Sequence, residues 1–143
     1  MKKHTLLTLL ACGLVTLLSV STGFAQITHS AKATIPFDFT VGDKNLSAGP
    51  YLVSELSQGI LWVANRAGEN DRVGITTRAL HDDSKGEYKL VFHKIGERYF
   101  LAQVCMDNGT VQVPMSRQEN SLLAKNGKGS TFAVTTVALS AIR

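Results

Sequence analysis

The chain has 143 residues, of which 44% are hydrophobic, and its 15 Lys and Arg against 11 Asp and Glu give a formal charge of +4. With 12 Gly and 3 Pro, the composition excludes a collagen-like or disordered chain, and a total of two Cys excludes a disulfide scaffold. A chain of this length is typical of a single domain.

Residues 1–25 have the three-part organisation of a secretory signal peptide. The basic start Met1-Lys2-Lys3-His4 is followed by an uncharged stretch rich in leucine and then by Gly23-Phe24-Ala25, which places small residues where a signal peptidase reads them. We therefore expect cleavage after Ala25. The product is a single β-rich domain of residues 26–143 that is secreted or periplasmic.

Two other fates of the leader fit the sequence less well. Lipoprotein processing at Leu9-Leu10-Ala11-Cys12 would lipidate Cys12, but Leu10 fits that box poorly and the apolar run continues past it. A transmembrane anchor needs about 20 apolar residues, and the run over residues 5–20 is shorter. The sequence thus predicts no stable membrane span after cleavage.

Loss of the leader changes the charge and the cysteine count. Without Lys2 and Lys3 the mature chain has 13 basic and 11 acidic residues. These are scattered along the chain, whereas a nucleic-acid binder concentrates Lys and Arg in a stripe, so we expect no nucleic-acid partner. Cys12 is also lost, which leaves Cys105 without an intrachain disulfide partner. The domain must be held together by its hydrophobic core.

Apolar residues of the mature chain recur in short alternating runs that are bounded by turn residues. The connections are too short for parallel crossovers, so the sheet is expected to be largely antiparallel. We predict an all-β fold, a compact antiparallel β-barrel or two-layer sandwich of about eight strands. The predicted strands lie near residues 32–41, 50–56, 60–65, 72–78, 88–95, 98–106, 110–113 and 131–142.

One short helix is predicted near the C-terminus. Pro114 ends a strand, Ser116 can cap a helix, and Glu119 has the spacing at which its side chain reaches back to the nitrogen of the cap residue. Asn126-Gly127 is a typical helix end. We expect this helix to pack on the sheet or to plug one end of a barrel.

The segment 88–106 is predicted to form a β-hairpin, for which two registers are possible. With a three-residue loop Ile95-Gly96-Glu97, His93 lies opposite Tyr99, and Phe92 opposite Phe100. With a two-residue loop Gly96-Glu97, His93 pairs with Phe100 instead, and the buried face changes. We favour the first register, because it places His93 and Tyr99 on one wetter face.

Three blocks resemble a group of small, uncharacterised secreted bacterial proteins. The blocks are Ile35-Pro36-Phe37-Asp38-Phe39 with Ala48-Gly49-Pro50-Tyr51, then Leu90-Val91-Phe92-His93-Lys94 with Tyr99-Phe100-Leu101, and finally Ser116-Arg117-Gln118-Glu119. Pro50 and Cys105-Met106 depart from the usual pattern of that group. The resemblance implies an exported single β-domain and carries over no functional residue. It also draws attention to Pro36, which we expect at an edge or bulge because it cannot donate to a ladder.

Catalytic and metal sites are not indicated. In the favoured hairpin, Cys105 lies about 20 Å from His93 at ~3.3 Å per residue, which is too far for a nucleophile–base pair. His81, Asp82 and Asp83, even together with His93, lack the ligand spacing of a calcium or zinc site. We assign no catalytic residue, no metal ligand and no cofactor.

Most aromatic residues are expected in the core, but three polar or aromatic residues are candidate ligand-binding residues: Trp62, His93 and Tyr99. Around Trp62, the run Ile60-Leu61-Trp62-Val63 puts apolar groups on both faces of its strand. Either both faces are covered, or one of them is an exposed binding patch. A filled core would favour surface recognition, and an open barrel mouth would favour a ligand.

Our leading functional hypothesis is a non-enzymatic domain that binds a partner protein, a surface polymer or an apolar small molecule. The alternative is a small hydrolase or isomerase whose site at a barrel mouth combines His93, Tyr99 and Asp82 or Asp83. An outer-membrane barrel is disfavoured, because strands such as the one at residues 60–65 are shorter than the ~9 to 11 residues that crossing requires.

Overall fold

The computed structural model describes residues 29–57, 59–67, 72–80, 86–125 and 132–142. In these ranges the chain forms strands and one helix, so the fold is all-β with a short helix near the C-terminus, as the sequence predicts. The elements are β1 (His29–Ile35), β2 (Phe39–Val41), β3 (Lys44–Leu46), β4 (Gly49–Ser57), β5 (Ile60–Asn65), β6 (Arg72–Thr76), β7 (Arg78–Leu80), β8 (Lys89–Ile95), β9 (Arg98–Met106), β10 (Gly109–Gln112), α1 (Arg117–Lys125), β11 (Ala133–Ala138) and β12 (Ser140–Ala141).

The strands form two sheets. Sheet A has the order β12-β1-β4-β5-β6, and sheet B has the order β11-β8-β9-β10-β7, with β2 beside β9 and β3 beside β2. The pairs are antiparallel, which confirms the prediction, except for a short parallel pairing of β2 with β9.

Two bent strands connect the sheets at opposite corners. At Thr77 the chain leaves β6 in sheet A and enters β7 in sheet B, and at Leu139 it leaves β11 in sheet B and enters β12 in sheet A. Both residues are buried, and the backbone N–H of each donates a hydrogen bond, to Gly59 at 2.7 Å and to Tyr88 at 2.9 Å. Strands that switch sheets in this way form the corners of a sandwich and give it a barrel-like outline.

The space between the sheets is filled by side chains. Sheet A contributes alternate residues of its strands, and sheet B contributes those of β8 and β9, as expected for antiparallel layers that bury one face. The largest residues of this core that are almost completely buried are Ile35, Tyr51, Leu61, Leu90, Phe92 and Met106.

Pro36 separates two strands that the sequence analysis predicted as one. It follows the last residue of β1 and precedes β2, and it lies exposed between them. Beyond it, Gly42 adopts a φ of 58° in the turn to β3, a short strand that was not predicted. The predicted strand at residues 32–41 is therefore two strands with a break at the proline, because proline cannot donate to a ladder.

The favoured register of the β8–β9 hairpin is wrong. His93 pairs with Phe100, and Ile95 with Arg98, across a two-residue loop in which Gly96 has a φ of 61°. A bulge at Ala102 then shifts the pairing, so that Phe92 lies opposite Leu101. A tight loop of two residues with a left-handed glycine matches the right-handed twist of the strands, whereas the three-residue loop would need its own bulge.

Helix α1 packs on sheet B and not into a barrel end. It contacts β8, and its residues Leu122 and Leu123 are partly buried. Ser116 caps it as predicted, since its Oγ accepts a hydrogen bond from the Glu119 backbone N–H at 3.0 Å. The second half of the predicted capping box is not formed, because the Glu119 carboxylate turns to His93.

Candidate functional site

Trp62 lies on the outer surface of sheet A. Its strand neighbours Leu61 and Val63 point into the core and are 0% and 1% exposed, whereas Ile60 on the outer side is 43% exposed. Trp62 pairs across the strands with Gly74, and a Cβ atom at Gly74 would lie 3.5 Å from Cε2 of the indole. The indole thus occupies the space above Gly74 that a side chain would otherwise fill. Such aromatic packing over a strand glycine is a known way to support a sheet edge.

The side chains around Trp62 form a mixed polar and apolar surface. The ladder register places Ser54 next to Trp62, and Leu52 next to Ala64, on the same side of the sheet. This surface, the Trp62 face, consists of Leu52, Ser54, Ile60, Trp62, Ala64 and Gly74. Within the described residues, the helix packs on the other sheet and leaves the Trp62 face partly or fully exposed to solvent. The described residues therefore leave the outer face of β5 partly exposed, and its role in binding stays a prediction.

His93 is part of a contact between sheet B and the helix. Its Nδ1 atom lies 2.7 Å from Oε1 of Glu119, and the two side chains are 16% and 3% exposed. The imidazole also stacks on Phe132, with ring centroids 3.8 Å apart. A buried carboxylate requires such a partner, so the pair holds the helix on the sheet. Nδ1 of His93 is in this way bonded to the helix.

Tyr99 lies on the other side of the same hairpin. Its ring stacks on Phe37 with centroids 3.9 Å apart, and Nζ of Lys94 lies 5.3 Å from its centroid. Tyr99 is paired with Lys94 and His93 with Phe100, so these neighbouring pairs point to opposite faces of the hairpin.

The three candidate residues are consequently not part of one site. Trp62 lies on sheet A, and His93 and Tyr99 lie on opposite faces of sheet B. The acid–base arrangement of the alternative hypothesis, in which His93 and Tyr99 share a face, is not formed. Asp82 and Asp83, which that hypothesis also uses, and His81 of the rejected metal site lie outside the described residues.

Cys105 is deeply buried in sheet B. It is 2% exposed and lies opposite Lys89 on β8 and Thr110 on β10. Lys89 is four positions from His93 along β8, or about 13 Å at ~3.3 Å per residue. The corrected register shortens the predicted separation of Cys105 and His93, yet it still keeps the thiol far beyond hydrogen-bond reach of the imidazole.

Two of the grooves on the surface of the described residues have volumes of about 520 Å³, and the sequence indicated neither of them. One, of about 520 Å³, lies where β6 bends into β7 and is formed by residues 76–78 and 112–115. We call it the corner groove. It contains the exposed side chain of Met115, and the buried hydroxyl of Thr77, which has no hydrogen-bond partner among the described residues. A sequence signal for it is limited to Pro114-Met115, an apolar pair between a strand and a helix.

The other groove, also of about 520 Å³, lies at the far end of sheet A beside Leu56 and Leu80. At its rim, Nδ1 of His29 is 3.2 Å from Oδ1 of Asp107, with both side chains substantially exposed. The Asn108 amide donates a hydrogen bond to Glu55 in the same groove. These polar groups satisfy one another, as is common at a solvated surface.

The chain matches no family model, and no curated protein or solved structure matches it at a significant level. In the described ranges, no three or more His, Cys, Asp or Glu residues are grouped so that they could hold a metal ion. No helix in the described part of the chain has the length and apolar character to cross a membrane.

Proposed function

We propose that this chain is an exported, non-enzymatic β-domain that binds a partner protein through the Trp62 face. The observation that carries this proposal is the placement of the single tryptophan of the chain over a glycine, on a sheet surface that the described residues leave partly exposed. The leader sequence of residues 1–25 supports export.

The filled core favours recognition at the surface. Tyr51, Leu61 and Phe92 occupy the space between the sheets and are 0% exposed. An apolar small molecule that binds between the layers would have to displace such side chains, and closely packed interiors resist that. Of the three kinds of partner that the sequence suggested, the apolar small molecule is therefore the least compatible with this core.

The Trp62 face has the composition of a protein-binding surface. Tryptophan buries a large area at a small cost in conformational entropy, and it is enriched where proteins bind one another. Ile60 beside it is exposed, and Ser54 supplies a hydroxyl that already bonds to Ser30 at 3.0 Å. An apolar centre with a polar surround is the usual arrangement of an interface.

Catalysis is the less favoured function because the candidate acid–base groups diverge. A general acid or base must lie within hydrogen-bond reach of the proton that it transfers. His93 is bonded to Glu119 on the helix side of the hairpin, and Tyr99 is stacked on Phe37 on the other side.

Native mass spectrometry of the exported protein, purified from its own host, tests the proposal. We expect a complex with one other protein that is lost in Trp62→Ala and kept in Val134→Ala. Val134 is a matched control, since it is apolar, 60% exposed and located on sheet B. A monomer without any partner, also after crosslinking, would overturn the proposal. A complex that contains only a polymer or a small molecule would overturn the assignment to a protein partner.

A further inference from the structure

The outer edge of β6 has backbone groups that pair with no other strand in the described part of the chain. β6 is the last strand of sheet A, and no described strand pairs with its outer edge. The N–H of Thr77 donates to the carbonyl of Gly59, which marks these two residues as a hydrogen-bonded pair. Hydrogen-bonded and non-hydrogen-bonded pairs alternate along an antiparallel ladder. Ile75 and Val73 therefore bond to β5, while the backbone groups of Arg72, Gly74 and Thr76 point outward.

One of these outward groups is already covered. Nζ of Lys44 lies 3.4 Å from the carbonyl oxygen of Arg72. The alternation along the ladder requires the carbonyl of Arg72 to point away from β5, and its contact with Lys44 agrees with this. The contact therefore supports, independently of the Thr77 hydrogen bond, the assignment of the groups that point outward. Gly74 and Thr76 follow along the same edge, and the exposed edge leads from them toward the corner at Thr77.

An added strand would place side chains against the Trp62 face. A residue that pairs with Gly74 from outside has its side chain on the same face of the sheet as Gly74 and Trp62. Because Gly74 has no side chain, the indole that lies over it is accessible from the edge. An apolar side chain at that position of an incoming strand would pack against the indole.

The positive charges near the edge of β6 favour an incoming strand that is acidic. Arg72 lies at the start of β6 and Arg78 just beyond its end, and both are exposed. They are the charged residues among the described residues of β6 and the corner groove. Cross-strand neighbours of opposite charge stabilise a ladder, so an acidic residue next to Arg72 or Arg78 is favoured and a basic one is disfavoured.

The corner groove continues the same edge. It begins at Thr76 and contains the exposed side chain of Met115. A chain that runs along β6 past Thr76 enters this groove, where an apolar side chain can contact the exposed Met115. One continuous surface therefore includes the outer edge of β6, the indole of Trp62, the two arginines and the corner groove.

We propose that the open edge of β6 binds an extended acidic peptide of a partner protein by strand addition, with one apolar side chain against Trp62 and the peptide end in the corner groove. This inference rests on the proposed function, and it specifies that the partner protein is bound through an extended acidic segment. Strand addition supplies affinity through main-chain hydrogen bonds and specificity through alternate side chains.

The decisive variant is Thr76→Pro. The N–H of Thr76 points outward, so proline removes a donor from the edge without removing a bond to β5, and prolines are tolerated at such positions of edge strands. Thr76→Val is the matched control, because it keeps the N–H and the shape of the side chain. Circular dichroism and thermal unfolding show whether each variant folds.

The experiment selects peptides from a randomised displayed library on the full exported chain and measures their Kd. We expect sequences with an apolar residue and an acidic residue two positions apart. Their Kd should rise about tenfold in Thr76→Pro, equivalent to roughly one backbone hydrogen bond, and stay unchanged in Thr76→Val. Selected peptides that bind Thr76→Pro as tightly as the unmodified chain, or a failure to select any peptide, would overturn the inference.

Charge reversal gives a second readout that does not depend on the fold of a proline variant. Arg72→Glu changes an exposed residue, and selection on it should yield basic residues where the unmodified chain yields acidic ones. An unchanged preference would count against the proposed placement. A concentration-dependent dimer that is lost in Thr76→Pro would show that a second copy occupies the edge and would overturn the peptide assignment.

The two proposals fail in distinguishable ways. If the natural partner depends on Trp62 but binds Thr76→Pro normally, the Trp62 face is the binding surface and strand addition is wrong. If the partner depends on neither residue, both proposals are wrong.

Discussion

Nδ1 of His93 on β8 lies 2.7 Å from Oε1 of Glu119 on α1, and the carboxylate is 3% exposed. Removal of one partner from a buried polar pair leaves the other without a hydrogen bond. We expect His93→Leu to lower the free energy of unfolding by about 1.5 to 3 kcal/mol, the range for hydrogen bonds to charged groups. Glu119→Leu should have a smaller effect, because His93 is 16% exposed and reaches water.

Urea unfolding of both single variants and the double variant measures this coupling. The double variant should lose less stability than the sum of the two single variants, since neither partner is left alone. The exposed pair His29–Asp107 is the control, and its coupling should be below about 1 kcal/mol, as for other surface pairs. Strict additivity for His93 and Glu119 would show that the contact does not hold the helix on the sheet.

Gly96 tests the two-residue loop of the hairpin. Its φ of 61° is unfavourable for residues with a Cβ atom, and a Cβ built there would meet no atom within 4 Å. Gly96→Ala should therefore destabilise the domain by about 1 kcal/mol through backbone conformation alone. Gly96→Asn should be milder, because asparagine tolerates this region. Equal unfolding midpoints for glycine and alanine would contradict the loop conformation.

Cys105 should be unreactive in the folded protein. The thiol is in a residue that is 2% exposed, and a thiol reagent needs access to the thiolate. For the chain without residues 1–25, in which Cys105 is the remaining cysteine, we expect no colour development with an aromatic disulfide reagent over minutes in native buffer, and one equivalent of reaction after denaturation. Rapid reaction of the native protein would show that the strands around Cys105 open readily.

The predicted removal of residues 1–25 can be tested through the mass of the exported protein. The exported protein should lack residues 1–25 and begin at Gln26, and intact mass spectrometry measures this directly. Cys12→Ser should leave the mass of the exported protein unchanged, because Cys12 is removed with the leader. A product that begins at a lipidated Cys12 would instead establish the lipoprotein alternative.

The alternation of apolar and polar residues predicted a strand well where that strand stays in one sheet over its whole length. The alternation at residues 60–65 and 98–106 gives strands with those same bounds. The bends at Thr77 and Leu139 were not predictable in this way, because the period of two continues through each bend while the strand changes its partner. The corner depends on contacts with Gly59 and Tyr88, which are distant in sequence.

The candidate site was only partly predictable for a related reason. Trp62 was identified because apolar residues on both faces of a strand are locally visible. The register that separates His93 from Tyr99 depends on a tight loop and on the bulge at Ala102, and neither is encoded by alternation. Likewise, the spacing of Ser116 and Glu119 predicted a capping box, but the tertiary partner His93 competes for the carboxylate.

The central claim is that the Trp62 face binds a partner protein, and photo-crosslinking in the host tests it most directly. A photoreactive amino acid is placed at Ile60 on this face or, as a control, at Val134 on sheet B, both of which are exposed. We predict an adduct with one protein from position 60, its loss in Trp62→Ala, and no such adduct from position 134. Equal adducts from both positions, or an adduct from position 60 that persists without Trp62, would contradict the account.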